Sequence, residues 1–370
     1  MTFRGGPGNA RADLPEHIKA AILALASNAT ARTGHWAAVF SWTRTFSRAT
    51  MLTYNSEDID KMNTQSNSIG RAAWMQRGWG LMHHYNKSGT ESLEAFNEQT
   101  DRFDVDMLGR QLQELGCRWF TICVCHNATS RYWCAPNSML ERYVPVSVCS
   151  RRDLIADLAE ALGPLGIRTM VYVWPWYEAQ KNEETQKALA VDYSARWCEV
   201  LEEYSLRWGK QVSGWWVDGP GKEPEPNLAR LAAALRAGNP DSALSFNGGW
   251  GNLDKHSASD DYCGGEHLNL PPCPGHQDDG ALRHLLNPIG GYWGGSRDMV
   301  EGVDSQPELR FSDERLAEAV IDWTVRNRAA ITLDVPLQSY KGTIGSLGGI
   351  LPELYSRQLK AVAEQLSNAT

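Results

Sequence analysis

The chain alternates short, nearly continuous hydrophobic runs with longer stretches in which apolar residues recur at helical spacing. Continuous hydrophobic runs are typical of strands that are buried on both faces, as in a parallel sheet. We predict strands over Trp79–Tyr85, Trp119–His126, Arg168–Trp174, Gly214–Asp218, Ala243–Asn247 and Ala330–Val335.

Amphipathic stretches between these runs predict helices. They are Asp104–Leu115, Arg151–Leu162, Asp192–Trp208 and Pro226–Ala237. Ser150 is a candidate N-cap of the second helix. Gly116 and Gly163 stand where the first two helices should end, because glycine is favoured just after a helix.

The repeated order of strand and helix predicts parallel βα units, in either an open doubly wound sheet or a (β/α)8 barrel. The chain has no glycine-rich dinucleotide fingerprint and no P-loop motif, which disfavours the open sheet. The strand ends are polar or aromatic and would converge at one barrel mouth. We therefore predict an α/β fold: a (β/α)8 TIM-like barrel, regular or irregular, over residues 71–370, with an N-terminal helical extension over residues 1–70 packed on it.

Composition excludes several kinds of partner. The 370 residues carry a net charge of −8 without a run of Lys or Arg, so we expect no nucleic acid and no membrane as a partner. No apolar stretch approaches the roughly 18 residues of a membrane-spanning helix. No signal peptide is visible, and the sequence leaves open both the oligomeric state and the compartment, secreted or cytoplasmic.

Fifteen tryptophans are an unusual number for this length. Indole rings fill cores, and at a surface they stack on flat, amphipathic ligands such as sugars. Because strand residues alternate in facing, Trp216 and Asp218 should share one face and Trp215 the other. The aromatic residues that we expect to contact a sugar are Trp133, Trp176, Tyr177, Trp250 and Trp293.

Asp218 is the strongest candidate for a catalytic residue. It ends a predicted strand and precedes the segment Gly219-Pro220-Gly221, so a rigid element would hold a carboxylate beside a loop that lets a ligand approach. A second carboxylate is needed for glycosyl transfer. The candidates are Glu223, Glu225, Asp260, Asp261 and Glu266, of which Glu266, surrounded by small residues, is the preferred one.

Histidines at two strand ends suggest contacts with hydroxyl groups. His83, His84 and His126 would lie at the barrel mouth together with Asn247, and imidazoles and amides exchange hydrogen bonds with a sugar. We expect no metal, because Cys123 and Cys125 should share a strand face while His126 points the other way, and no C-x-x-C pair occurs.

Two further features carry little weight. Cys134 with Cys149, and Cys263 with Cys273, could form disulfides if the protein is secreted, but a sequence does not show pairing. A Ser/His/Asp hydrolase is disfavoured, because the chain has no G-x-S-x-G motif.

The order of these segments resembles the α-L-fucosidases of glycoside hydrolase family 29. The segments that carry the resemblance are Trp79–Tyr85, Phe103–Phe120, Cys125-His126 with Trp133, Arg152–Trp176, Gly214–Gly219, Asp261–Glu266 with Tyr292-Trp293-Gly294, and Val325–Ile344. The chain departs from the family at Cys125, which stands where the family has the first histidine of a pair. We expect a divergent member without the C-terminal β-sandwich.

The resemblance implies a retaining exo-acting glycosidase that needs no cofactor, with Asp218 as nucleophile and Glu266 as acid/base. Two alternatives stay open. One is a related barrel glycosidase that acts on another sugar, such as an α-L-galactoside or a β-L-arabinoside. The other is a non-catalytic carbohydrate-binding barrel. In each case the partner is a carbohydrate.

Overall fold

The computed structural model describes residues 68–85, 92–126, 131–175, 193–220, 223–295, 308–338, 344–345 and 348–369. The chain divides into two units, Met1–Thr53 and Tyr54–Thr370, and every described residue belongs to the second. The predicted N-terminal extension lies outside the described residues, apart from the start of helix α1 (Ser68–Ala72). In the described ranges no helix is long and apolar enough to cross a membrane.

Seven parallel strands form the main sheet. They are β1 (Gly78–His83), β2 (Trp119–Cys125), β3 (Arg168–Val173), β4 (Val212–Val217), β5 (Ala243–Phe246), β6 (His284–Pro288) and β7 (Ala330–Asp334). Six agree with predicted strands to within two residues at each end. Strand β6 was not predicted, because its sequence, His-Leu-Leu-Asn-Pro, has no continuous hydrophobic run.

Helices alternate with these strands. After α1 they are α2 (Leu93–Asp101), α3 (Val105–Glu114), α4 (Ser138–Tyr143), α5 (Leu154–Leu162), α6 (Tyr193–Trp208), α7 (Glu225–Arg236), α8 (Asp313–Ile321) and α9 (Glu353–Ala369). Two short antiparallel strands, β8 (Leu337–Gln338) and β9 (Ile344–Gly345), lie between β7 and α9. The four predicted helices correspond to α3, α5, α6 and α7.

The start of α5 differs from the prediction, and its end agrees with it. Its N-cap is Asp153, whose side chain accepts from the backbone N–H of Ala156 at 3.0 Å, whereas the Ser150 hydroxyl donates to the carbonyl of Arg152. Gly163 keeps a right-handed helical conformation and opens a 3-10 turn, and the chain leaves the helix at Gly166. The prediction for Ser150 is therefore wrong, whereas Gly163 directly follows the last residue of the α-helix, as predicted.

The main sheet is curled into a TIM-like barrel, as predicted. Its strand order is β5-β4-β3-β2-β1-β7-β6, and every neighbouring pair is parallel. The two edge strands, β5 and β6, are far apart in this order but are both bonded to one segment, Asp261–His267. This segment occupies the eighth position of the barrel and closes the ring.

The closing segment pairs differently with its two neighbours. Toward β6 it forms parallel bridges, Tyr262 with Leu282 and Glu266 with Leu286. Toward β5 the backbone N–H of Asp261 donates to Leu244, while the Asp261 carboxylate accepts from the N–H of Leu244. A carboxylate thus replaces part of the backbone ladder. The segment was not predicted as a strand, because its sequence has no continuous hydrophobic run.

Alternating side chains divide the core into two layers. The inner layer fills the barrel with side chains that include Met82, Trp119, Tyr172, Trp216 and Tyr262. The outer layer lies between strands and helices and includes Leu81, Phe120, Val171, Trp215 and Leu244. The predicted opposite facing of Trp215 and Trp216 is confirmed.

Strand β2 contains a bulge that changes this alternation. Its pairing with β3 shifts register between Cys123 and Cys125. Cys123 lies in the inner layer, whereas Cys125 lies in the outer layer. The prediction that these two residues share a face is therefore wrong, because an extra residue in a strand reverses the alternation that follows. The same reversal turns His126 toward the barrel interior.

The cysteines do not stabilise the fold by cross-linking. All eight are free, so neither Cys134 with Cys149 nor Cys263 with Cys273 forms a disulfide. Six of the eight are buried, where a thiol behaves as a small hydrophobic group.

We predict that Gly265 is the least replaceable glycine of the closing segment. Its φ is +69°, and a Cβ atom there would collide with the carbonyl of His284 on β6. Gly275 is the matched control, since its φ is +79° and nothing lies near a Cβ atom. Gly275→Ala should lower the free energy of unfolding by about 1–2 kcal/mol. Gly265→Ala should lower it by about 1–3 kcal/mol more, from the added collision. Equal losses in urea unfolding would contradict the closing role of this segment.

A second prediction concerns acid stability. His284 is buried inside the barrel, where Nδ1–H donates to Cys263 and Nε2 accepts from the Thr332 hydroxyl. Burial lowers the pKa of His284 to about 4, so only the neutral ring is favoured in the folded state. Its contribution to stability is complete above the unfolded pKa, roughly 6.5, and is lost as the pH falls toward about 4. The free energy of unfolding should fall by about 3 kcal/mol as a result. Between pH 7 and 4, it should change less with pH in His284→Gln than in the wild type.

Candidate active site

Asp218 lies at the carboxyl end of β4, where hydrogen bonds from two neighbouring strands hold its carboxylate. The Tyr172 hydroxyl, on β3, donates to Oδ2 at 2.5 Å. The Asn247 side-chain amide, just after β5, donates to Oδ1 at 2.9 Å. The backbone N–H of Asp218 donates to Val173 at 2.8 Å and extends the β3–β4 ladder past the strand. The carboxylate is therefore fixed in position yet partly exposed.

Glu266 shares the amide of Asn247 with Asp218. The Asn247 Nδ2 donates to Glu266 Oε2 at 2.6 Å and to Asp218 Oδ1 at 2.9 Å. Two oxygens bonded to one nitrogen at these distances lie no more than about 5.5 Å apart. The closing segment thus brings the preferred second carboxylate of the sequence analysis to the first.

Tyr172 is a site residue that the sequence analysis did not find. It is buried, and its ring stacks on Trp216 at 5.2 Å and on His126 at 5.8 Å. Burial and the carboxylate of Asp218 hold the pKa of Tyr172 well above its usual range, so the phenol stays protonated and donates. The feature that marks Tyr172 as a site residue is its inward position on β3, in register with Trp216 on β4. Only the pairing of the strands reveals this position.

His84 faces the same interior and is oriented by Asp334 at the end of β7. The His84 Nδ1 lies 2.8 Å from Asp334 Oδ1, and Asp334 Oδ2 accepts from the backbone N–H of Gly294 at 2.8 Å. Burial alone would raise the pKa of Asp334, but His84 and these hydrogen bonds hold it below its usual value. The carboxylate is therefore ionised, and His84 Nδ1 carries the hydrogen that it donates to Asp334.

Aromatic rings complete the wall around the carboxylates. His126 makes edge contacts with the rings of His84 at 5.7 Å and Trp174 at 5.1 Å. Trp293 is buried and lies 5.5 Å from the His84 ring. The site thus joins two carboxylates, an amide and two imidazoles to indole rings. This is an arrangement that suits the hydroxyl groups and the C–H faces of a sugar.

Comparison with known proteins identifies the family. Residues 34–266 match a family model described as alpha-L-fucosidase. The chain belongs to the alpha-L-fucosidase family. The match includes both Asp218 and Glu266, and it agrees with the resemblance to glycoside hydrolase family 29.

Solved structures share the fold of this fucosidase-family chain. The endo-fucoidan hydrolases MfFcnA4 and P5AFcnA, of glycoside hydrolase family 107, are 17% and 16% identical, with TM-scores of 0.62 and 0.59. In both cases 80% of this chain is covered, with 53% and 93% of the other chain. Alpha-L-fucosidase AlfC from Lactobacillus casei is 14% identical with a TM-score of 0.58, over 82% of this chain and 99% of that chain.

The chain spans about half the length of MfFcnA4, and at such identities the likeness is one of fold. No curated protein sequence matches the chain.

The structure brings only some of the predicted site residues together. His83 Nδ1 lies 2.9 Å from the carbonyl of Val335, and its ring is near Tyr85 of the outer layer. Trp133 is buried in the outer layer beside Trp197 and Tyr204 of α6. Trp133 therefore faces the helices rather than the barrel interior. Trp176 and Tyr177 lie outside the described residues.

The other candidate carboxylates bind elsewhere in the fold. Asp260 accepts from the backbone N–H of Phe246 on β5, and Asp261 accepts from Arg236 at 2.5 Å. Glu225 accepts from the Ser257 hydroxyl, and Glu223 from the Asn227 amide. In the part of the chain that the structure describes, no group of three or more His, Cys, Asp or Glu could hold a metal ion.

We predict that Asp334→Asn reverses the tautomer of His84. The Asn amide can still accept from Gly294 through its oxygen, but it then presents a donor to Nδ1. Histidine nitrogen NMR should show hydrogen on Nδ1 in the wild type and on Nε2 in the variant, with His84→Gln used to assign the signal. Losing the charged hydrogen bond should also lower the free energy of unfolding by about 1.5–3 kcal/mol. An unchanged tautomer would contradict the orienting role of Asp334.

Proposed function

We propose that the protein is a retaining exo-acting α-L-fucosidase that works by double displacement. Asp218 attacks the anomeric carbon and forms a glycosyl ester, while Glu266 protonates the departing oxygen. Glu266 then takes a proton from water, which attacks the same carbon and releases the sugar. No net charge is gained by the pair over the cycle, because Glu266 regains its proton as Asp218 is freed.

The observation that carries this proposal is the separation of the two carboxylates. The shared amide of Asn247 limits the distance between the nearest oxygens to about 5.5 Å. Retaining glycosidases have their carboxyl groups about 5–5.5 Å apart, and inverting enzymes need roughly 6.5–9.5 Å to admit a water molecule. The spacing therefore favours attack by a carboxylate over attack by water.

The positions of the two carboxylates favour their roles. Asp218 ends a strand, and Tyr172 and Asn247 hold both of its oxygens, which suits a nucleophile that must attack along one line. Glu266 lies on the closing segment, and its carbonyl accepts from Gly251 in the loop at the mouth. The leaving group would depart on that side.

The family supports fucose as the sugar. The matched family model is named for alpha-L-fucosidase, and AlfC is described in complex with an alpha-L-fucose product. His84 and His126 would bind ring hydroxyls, while Trp293 would cover an apolar face. A pocket of imidazoles and buried indoles fits one small neutral sugar, which favours release of terminal residues.

We predict that Asp218→Ala abolishes hydrolysis of aryl α-L-fucosides, with a loss of about 10³-fold or more in kcat. Glu266→Gln should lose about 10²–10⁴-fold on fucosides with poor leaving groups. It should lose less on 2,4-dinitrophenyl fucoside, which needs no acid. Proton NMR early in the wild-type reaction should show α-L-fucose as the first product.

Glu225→Gln is the matched control, because that carboxylate accepts from the Ser257 hydroxyl and the backbone N–H of Ala258 rather than from Asn247. It should retain wild-type kcat. If the β-anomer formed first, or if Asp218→Ala kept full activity, the proposed mechanism would be wrong. If the wild type hydrolysed only an aryl galactoside or arabinoside, the proposed specificity for fucose would be wrong.

A further inference from the structure

Trp250 is an exposed aromatic residue at the barrel mouth. It lies in the loop after β5 and is 56% exposed. Gly249 and Gly251 flank it with φ of +100° and +75°. Two left-handed positions around one residue force a tight turn that presents the indole outward.

The loop holds Trp250 beside Glu266. The N–H of Gly251, the next residue, donates to the carbonyl of Glu266 at 2.8 Å. The Trp250 ring lies 6.1 Å from Tyr292 and 6.4 Å from Trp293. Burial raises the pKa of Tyr292, and the negative charge of Glu266 raises it further. Trp250 and Tyr292 are here called the rim pair.

The chemistry of the acid determines which part of a substrate meets the rim pair. A general acid must lie within hydrogen-bond reach of the glycosidic oxygen. The group beyond that oxygen therefore extends over the side of Glu266 that faces the mouth. The buried Trp293, near His84, would face the sugar that stays bound. The exposed Trp250 and the partly exposed Tyr292 would face the sugar that leaves.

We propose that the rim pair is a binding subsite for the leaving-group sugar, so that the substrate is an oligosaccharide with a terminal fucose. An indole and a phenol side by side match the C–H face and the hydroxyl groups of a neutral pyranose. The net charge of −8 and the nearby Glu266 disfavour an anionic residue at this position. The inference rests on the proposed function, and it adds the class of leaving group.

The test compares two leaving groups. Trp250→Ala is measured on α-L-fucosyl fluoride, which has no second sugar, and on α-L-fucosyl disaccharides ending in galactose or N-acetylglucosamine. Burying an aromatic face is worth enough for kcat/KM on the best disaccharide to fall about 10- to 100-fold. The value on the fluoride should stay within twofold of wild type, and Trp250→Tyr should restore most of the disaccharide activity.

Leu206→Ala is the matched control, since Leu206 is also exposed, at 60%, but lies on α6. It should leave both substrates unaffected. An equal loss on both substrates in Trp250→Ala, or no loss on either, would overturn the subsite.

Binding gives a second readout that does not need turnover. In Asp218→Ala protein, calorimetry with the uncleaved disaccharide should show about 10-fold weaker binding when Trp250 is also changed to Ala, with L-fucose binding unchanged. Equal affinities for the disaccharide would overturn the subsite even if the wild type hydrolyses fucosides. Absence of any fucoside hydrolysis by the wild type would instead overturn the proposed function, which this binding comparison does not use.

Discussion

Closure of the barrel by the segment Asp261–His267 is the constraint on which the rest of the structure depends. The seven-strand sheet ends at β5 and β6, and this segment satisfies backbone groups of both. Because it is irregular, its bonds to β5 come partly from carboxylates, and Gly265 must pass against the carbonyl of His284. The same path carries Glu266 to within hydrogen-bond distance of Asn247, so closure of the ring also sets the spacing of the two carboxylates.

A chain of hydrogen bonds crosses the interior of the barrel. Trp119 donates to the Thr332 hydroxyl, which donates to His284, which donates to the closing segment. Each donor meets an acceptor only if His284 is neutral. In a medium of low polarity an unpaired group would be costly. These hydrogen bonds therefore connect β2, β7 and β6 to the closing segment, which contains Glu266.

The mouth is built from pairs of polar groups that orient each other. Tyr172 and Asn247 hold Asp218, and Asp334 holds His84 and the turn that carries Trp293. Every one of these groups lies at the carboxyl end of a strand or just beyond it. The carboxyl ends of parallel strands lie at the same end of the barrel, so residues that are distant in sequence come together there.

The sequence by itself determined the barrel, six of its strands and the position of Asp218 at a strand end, because hydrophobic runs and strand-end polarity are local properties of the chain. It also favoured Glu266 among five acids. Tertiary structure alone decided what depends on pairing. The bulge in β2 turns His126 inward, register makes Tyr172 the partner of Asp218, and strand facing selects His84 over His83. It also placed Trp133 in the outer core, since a buried indole and a ligand-binding indole have the same local sequence signal and differ only in what surrounds them.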